Sequence, residues 1–136
     1  PLQGFAAANA QAAEQGLTFQ PVHSVEELDT KLQQASKEGK AVMLDFYADW
    51  CVSCKEMEAY TFTDAKVKQA LSGFMLLQAD VTANSDADKA LLEKFKIIGP
   101  PAILFFGTNQ QEISENRVIG YQDAETFIKT LQQIKL

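Results

Sequence analysis

Val42-Met43-Leu44-Asp45-Phe46-Tyr47-Ala48-Asp49-Trp50-Cys51-Val52-Ser53-Cys54-Lys55 is the stretch on which the reading of this chain turns. Ala41 to Ala48 is almost continuously apolar and does not alternate, the pattern of a strand covered on both faces. Directly after it come the two cysteines of the chain, three positions apart. A helix starting there turns both sulfurs the same way in its first turn. Attack on a disulfide needs a thiolate, and the free N–H groups and positive dipole end of a helix N-terminus stabilise one at the first cysteine. The spacing therefore predicts a redox dithiol with Cys51 as nucleophile and Cys54 as resolving thiol.

Three other uses of such a pair are weaker. A purely structural bridge over so short a loop removes only ~2 kcal/mol of unfolded-chain entropy, against about 4 to 5 for a long loop. Zinc needs about four ligands, and the remaining soft candidate, His23, lies far upstream with no second cysteine pair. Placed just before a helix cap, His23 reads as an exposed turn residue without a role. Covalent haem attachment wants His after the second cysteine, and position 55 is Lys. No metal and no cofactor is expected.

At 136 residues and 46% hydrophobic content the chain can bury one full core but not two. A net charge of −6 and the lack of any Lys/Arg cluster argue against a nucleic-acid partner. Its longest apolar runs fall far short of the roughly 20 residues that span a bilayer. Residues 1–17, rich in Ala, Gln and Asn and without an apolar stripe, read as a linker or tail. A chain that begins at Pro1 instead of Met reads as a processed form or an excised piece.

From residue 18 the elements follow in order. Thr18 to Val22 has strand composition, with Pro21 confining it to an edge. Ser24-Val25-Glu26-Glu27 is a capping box for a helix whose stripe of Val25, Leu28, Leu32 and Ala35 ends at Gly39. After the cysteines a helix carries Met57, Tyr60 and Phe62, breaks near Thr61, and resumes from Thr63-Asp64 with Val67, Ala70 and Leu71 inward. Phe74 to Asp80 is a second buried strand, Ser85 opens a helix with Leu91, Leu92 and Phe95 inward, and Gly99-Pro100-Pro101 breaks the chain. Ala102 to Phe106 and the more polar Glu112 to Ile119 form an antiparallel hairpin, and Asp123 caps a last helix with Phe127, Leu131 and Ile134 inward. The order β-α-β-α-β-α-β-β-α calls for an α/β fold, a mixed sheet between helices.

Asp45, buried in the first strand six residues before Cys51, is the natural acceptor for the proton Cys54 must lose, because desolvation raises a carboxyl pKa toward neutrality. Glu58 lies one helical turn beyond Cys54 and is a second candidate carboxylate. Trp50 either shields one side of the sulfurs or packs in the core. Lys55 and Glu56 read as solvated helix residues.

These residues carry a family likeness. Asp45-Phe46-Tyr47-Ala48-Asp49-Trp50-Cys51-x-x-Cys54-Lys55 resembles the active-site strand and helix of the thioredoxin family, and Gly99-Pro100-Pro101 before Ala102 resembles the loop whose cis-proline faces the dithiol. With Val42-Met43-Leu44-Asp45, Tyr60-Thr61-Phe62, Val81-Thr82-Ala83-Asn84 and Ile103-Leu104-Phe105-Phe106, the chain is more narrowly similar to the C-terminal domains of the DsbD family of thiol:disulfide interchange proteins. The resemblance covers residues 18–136 and implies a thioredoxin fold and a protein-disulfide reductase. It implies a monomeric periplasmic domain, tethered through residues 1–17 to an inner-membrane carrier. Its partners would be protein disulfides and dithiols, namely the membrane domain and the N-terminal periplasmic domain of the same protein. It also implies an acid at Glu58 and a substrate-binding surface at Trp50, Pro100 and Pro101. Two departures from thioredoxin stand out: Val52-Ser53 replaces Gly-Pro between the cysteines, and a proline at position 100 has no N–H to offer a bound partner. A periplasmic oxidase or isomerase, or a non-catalytic binding or metal-chaperone module, are the competing readings.

Overall fold

A computed structural model describes residues 16–136, so the expected tail lies, as far as residue 15, outside the described residues. The apolar run becomes strand β2, Val42–Tyr47, buried at every position. Successive side chains of a strand point to opposite faces. Val42, Leu44 and Phe46 therefore join one cluster with Leu28, Leu32, Leu77, Leu91 and Leu104, while Met43 joins another with Met57, Phe62, Phe105 and Phe127. Asp45 shares its parity with Met43 and faces the second layer.

The remaining elements are strand β1, Gln20–Pro21, helix α1, Val25–Lys37, and helix α2, Val52–Glu56, which continues as a π turn over Met57–Thr61. Helix α3, Ala65–Ala70, strand β3, Met75–Asp80, and helix α4, Asp86–Lys94, follow. Strand β4, Ala102–Phe106, strand β5, Val118–Ile119, and helix α5, Ala124–Gln133, complete the order. The sheet runs β1-β3-β2-β4-β5, with β3 parallel to β1 and β2, and β4 antiparallel to β2 and β5. This is the mixed sheet that the element order calls for. Side-chain caps start the helices: Ser24 Oγ accepts from the Glu27 N–H, Asp64 from Lys66 and Val67, Asp123 from Thr126, and Ser85 with Asp88 forms a full reciprocal box.

Three expectations need correction. The first strand contracts to Gln20–Pro21, an edge strand as Pro21 requires. Ala70 is exposed, because α3 ends there, and Val67 and Leu71 are the residues that turn into the core. The polar strand over 112–119 pairs only at Val118–Ile119 and through a single bridge at Glu112. Arg117 reaches back to Glu112 with Nε 2.6 Å from Oε2 and Nη2 2.8 Å from Oε1, while Nη1 donates to the Phe95 carbonyl at 2.8 Å. A bidentate pair five residues apart forces the chain between them into a 3₁₀ turn, Ser114–Asn116, instead of extended backbone. Arg117→Ala is expected to cost ~2 kcal/mol, since it strands a half-buried carboxylate and a buried carbonyl. Urea midpoints would show it, and a loss below about 0.5 kcal/mol would reduce the pair to an ordinary surface contact.

Candidate active site

Strand β2 delivers the chain to Ala48, whose carbonyl accepts from the Cys51 N–H at 3.1 Å and closes the turn through Asp49 and Trp50. Cys51 then caps α2 from an extended conformation, its sulfur accepting from the Cys54 N–H at 3.1 Å and its carbonyl from the Lys55 N–H at 3.2 Å. Cys51 and Cys54 are joined by a disulfide with Cα atoms 5.2 Å apart, inside the usual bridging range. Both are buried, and the Cys54 sulfur lies 3.9 Å from the Phe46 carbonyl oxygen. Cap geometry thus aims a peptide N–H at the Cys51 sulfur, the position where a thiolate gains most from it.

One residue before Phe46, Asp45 is buried, and its Oδ2 accepts from Gln78 Nε2 at 3.0 Å across the β2–β3 register. Burial pushes its carboxyl up from 3.8 to about 7; the Gln78 hydrogen bond opposes the rise and the charge of Glu58 adds to it. A carboxyl so placed changes its charge in the neutral range and can hold or release a proton there. Glu58 lies in the π turn, where the Phe62 N–H bonds back to the Met57 carbonyl at 2.8 Å. That wider turn is the break expected near Thr61, and such turns recur at functional sites. It is fixed to the loop before α5: buried Thr61 donates to the Gln122 carbonyl at 2.6 Å, and the Gln122 N–H meets Met57 Sδ at 3.4 Å. The Glu58 carboxyl is raised, first by burial, with Lys55 opposing and Asp49 reinforcing the shift.

Sequence reasoning missed a polar network beside this pair. Lys55, expected to be solvated, bonds through Nζ to the Tyr47 hydroxyl, lies 5.0 Å from the Tyr47 ring centre and 3.9 Å from Asp49 Oδ1. The Tyr47 hydroxyl donates to Asp49 Oδ1 at 2.9 Å, and the Asp49 N–H donates to Thr82 Oγ1 at 2.8 Å. The available signal was a phenol ending an otherwise apolar strand, one helical turn and a loop away from a lysine. Gln78 gave a second one, as an amide in an otherwise apolar strand segment, where it is half-buried.

Trp50 is 61% exposed and donates from Nε1 to the Thr82 carbonyl at 3.2 Å, so core packing does not explain it. Neighbouring Val52 and, before the proline loop, Ile98 are also exposed. The Pro100–Pro101 peptide is cis, as expected for the bond abutting the strand. Ala102 pairs with Phe46, which places this loop at the end of β2 from which the Cys51 turn departs. The Pro101 carbonyl accepts from the Gly120 N–H at 3.3 Å. The structure thus gathers Cys51, Cys54, Asp45, Trp50, Pro100 and Pro101 at one end of the sheet, with Glu58 on the adjoining π turn.

A sequence profile described as thioredoxin-like matches residues 23–108. The thiol:disulfide interchange protein DsbD of Ralstonia nicotianae is 52% identical over 137 residues, which cover 98% of this chain and 22% of that protein. The chain thus spans about a fifth of the length of the curated relatives it matches. Among solved structures, the C-terminal domain of Neisseria meningitidis DsbD in its oxidised form superposes with a TM-score of 0.74 at 35% identity, covering 85% of this chain and all of that one. The reduced form gives 0.73 at 36% identity, covering 83% and 98%.

Proposed function

This chain belongs to the thioredoxin-like family and, within it, to the DsbD C-terminal domains, and from that premise we propose that it acts as a reductant. It is a thiol–disulfide oxidoreductase domain. In the proposed role it receives two electrons from a membrane-embedded carrier domain and passes them to a periplasmic partner domain. What supports the direction is the buried carboxyl of Asp45, next in the chain to the Phe46 carbonyl that lies 3.9 Å from the Cys54 sulfur, together with Glu58 one helical turn beyond Cys54. Negative charge there opposes a thiolate on Cys51, so the reduced form is less favoured and gives its electrons up more readily.

The cycle starts with attack of the Cys51 thiolate on a partner disulfide, forming a mixed disulfide as the second partner sulfur leaves as thiolate. Asp45 takes the proton of Cys54, and the Cys54 thiolate attacks the Cys51 sulfur. The partner leaves as a dithiol, two electrons richer, and Cys51–Cys54 is again a disulfide. Trp50, Pro100 and Pro101 offer the docking surface. With no N–H at Pro100, an extended partner segment finds only carbonyl oxygens there. Residues 1–17 serve as the tether; no helix among the described residues is long and apolar enough to cross a membrane.

Equilibration with glutathione couples tests the direction. The Cys51–Cys54 couple is expected on the reducing side of glutathione, and Asp45→Asn with Glu58→Gln is expected to move it toward oxidising values while Cys51 alkylates at lower pH. Every ~30 mV corresponds to about 1.4 kcal/mol for this two-electron couple. A wild-type potential on the oxidising side would instead support an oxidase or isomerase, and an unmoved potential in the double variant would remove the carboxylates from the mechanism.

A further inference from the structure

The loops that leave β2 and β3 lie side by side, because the two strands run parallel in a register whose last partners are Tyr47 and Asp80. One loop carries Asp49 and Trp50 into Cys51. The other is a turn over residues 81–84, closed by the Asn84 N–H on the Val81 carbonyl at 3.0 Å. Thr82 ties the two together: its Oγ1 accepts from the Asp49 N–H at 2.8 Å, and its carbonyl accepts from Trp50 Nε1 at 3.2 Å. A hydroxyl has one proton to donate, and Thr82 gives it to Asp80 Oδ1, which also accepts from the Thr82 N–H at 2.9 Å. Asp49 N–H, Thr82 hydroxyl and Asp80 carboxylate thus form a chain that runs in one direction, and the charge at its end strengthens each bond along it.

We propose that Thr82 is a positioning residue for partner recognition, a clasp from the loop after β3 that holds the Trp50 indole in one orientation on the docking surface next to Cys51. With 61% of Trp50 in solvent, packing restrains the ring little, and the bond from Nε1 to the Thr82 carbonyl gives it a fixed partner. That carbonyl is itself held, since the hydroxyl and the N–H of the same residue are both anchored on Asp80. The Asp49 N–H bond pins the backbone one residue before Trp50, and the Cys51 N–H on the Ala48 carbonyl at 3.1 Å pins it one residue after. An aromatic side chain already held in one orientation loses little freedom when a partner covers it, which favours association. The clasp acts on docking and leaves the sulfur chemistry alone, because its four bonds involve neither cysteine. This inference rests on the proposed docking role of Trp50.

Trp50 is the single tryptophan of the chain, so its fluorescence reads this ring alone. The test uses Thr82→Val, which removes the hydroxyl at constant shape, and Thr82→Ser, which keeps it. Asp80→Ala, at an exposed position, removes the anchor without touching the core. In the oxidised protein, time-resolved anisotropy of Trp50 is expected to gain a fast component in Thr82→Val and Asp80→Ala and to keep the wild-type decay in Thr82→Ser. Single turnovers of the reduced domain with the oxidised periplasmic partner domain, from limiting to saturating partner, read the consequence. The half-saturating concentration is expected to rise about 2- to 10-fold in Thr82→Val and Asp80→Ala, the worth of ordering one large side chain on binding, with the limiting rate held and Thr82→Ser at the wild-type value. An anisotropy decay unchanged in both variants would overturn the clasp, as would an equal loss of rate on hydroxyethyl disulfide, which has no surface to dock and reports the dithiol alone. A ring that loosens with no change in half-saturation would overturn it too, provided Trp50→Ala weakens the partner. Failure of the underlying reading looks different, because Trp50→Ala would then leave the half-saturating concentration where it is while the ring still answered to Thr82.

Discussion

Cys51→Ser is expected to abolish disulfide exchange, and Cys54→Ser to accumulate partner proteins as stable mixed disulfides on Cys51. Both follow from the order of attack, since only the sulfur that caps α2 has a peptide N–H aimed at it at 3.1 Å. Without Cys51 no mixed disulfide forms; without Cys54 it forms and is not resolved. Non-reducing electrophoresis with a disulfide-bonded partner domain separates the outcomes, and trapping through Cys54 in the Cys51→Ser protein would reverse the two roles.

Asp45→Asn carries the next largest effects, one kinetic and one thermodynamic. Release of the partner from the mixed disulfide is expected to slow by about 10²- to 10⁴-fold near neutral pH, the usual worth of a positioned proton acceptor. The stability of the oxidised protein changes as well. Between the ordinary carboxyl value of 3.8 and about 7 the folded chain holds a proton that the unfolded chain has lost. Stability from this group is therefore complete below pH ~4 and is lost as the pH rises toward ~7, by at most ~4 kcal/mol. Asn has no such slope, so the variant is expected to be the more stable protein above neutrality. Urea unfolding of both proteins from pH 4 to 8 checks this, and parallel profiles would mean that the Asp45 carboxyl is ionised throughout.

How far the site was legible depended on whether its residues act through the chain or through space. The dithiol, the strand before it and the cis-proline loop are local patterns, and the apolar run around Asp45 announces its burial directly. Element order followed from caps that work within four residues: Asp64, Ser85 and Asp123 bond as their positions predict, and Ser24 forms the serine half of its expected box. What stayed hidden depends on contacts across the fold. Gln78 meets Asp45 only because β2 and β3 pair in that register. Lys55 meets Tyr47 only because α2 folds back over the end of its own strand. Arg117 pulled residues 112–117 out of extended backbone by pairing with Glu112 while reaching across the fold to the Phe95 carbonyl, a set of contacts that hydrophobic alternation does not reveal.

The two ends of the sheet have a consequence for how the protein behaves when crowded. β1 and β5 are each two residues long, and β1 carries Pro21, which has no N–H to donate. A strand edge recruits another chain by offering a continuous row of unpaired amides and carbonyls, and neither border of this sheet has one. The long strands, β2, β3 and β4, all lie inside. Among the described residues, edge-to-edge growth therefore meets only two-residue borders, too short to template a second sheet.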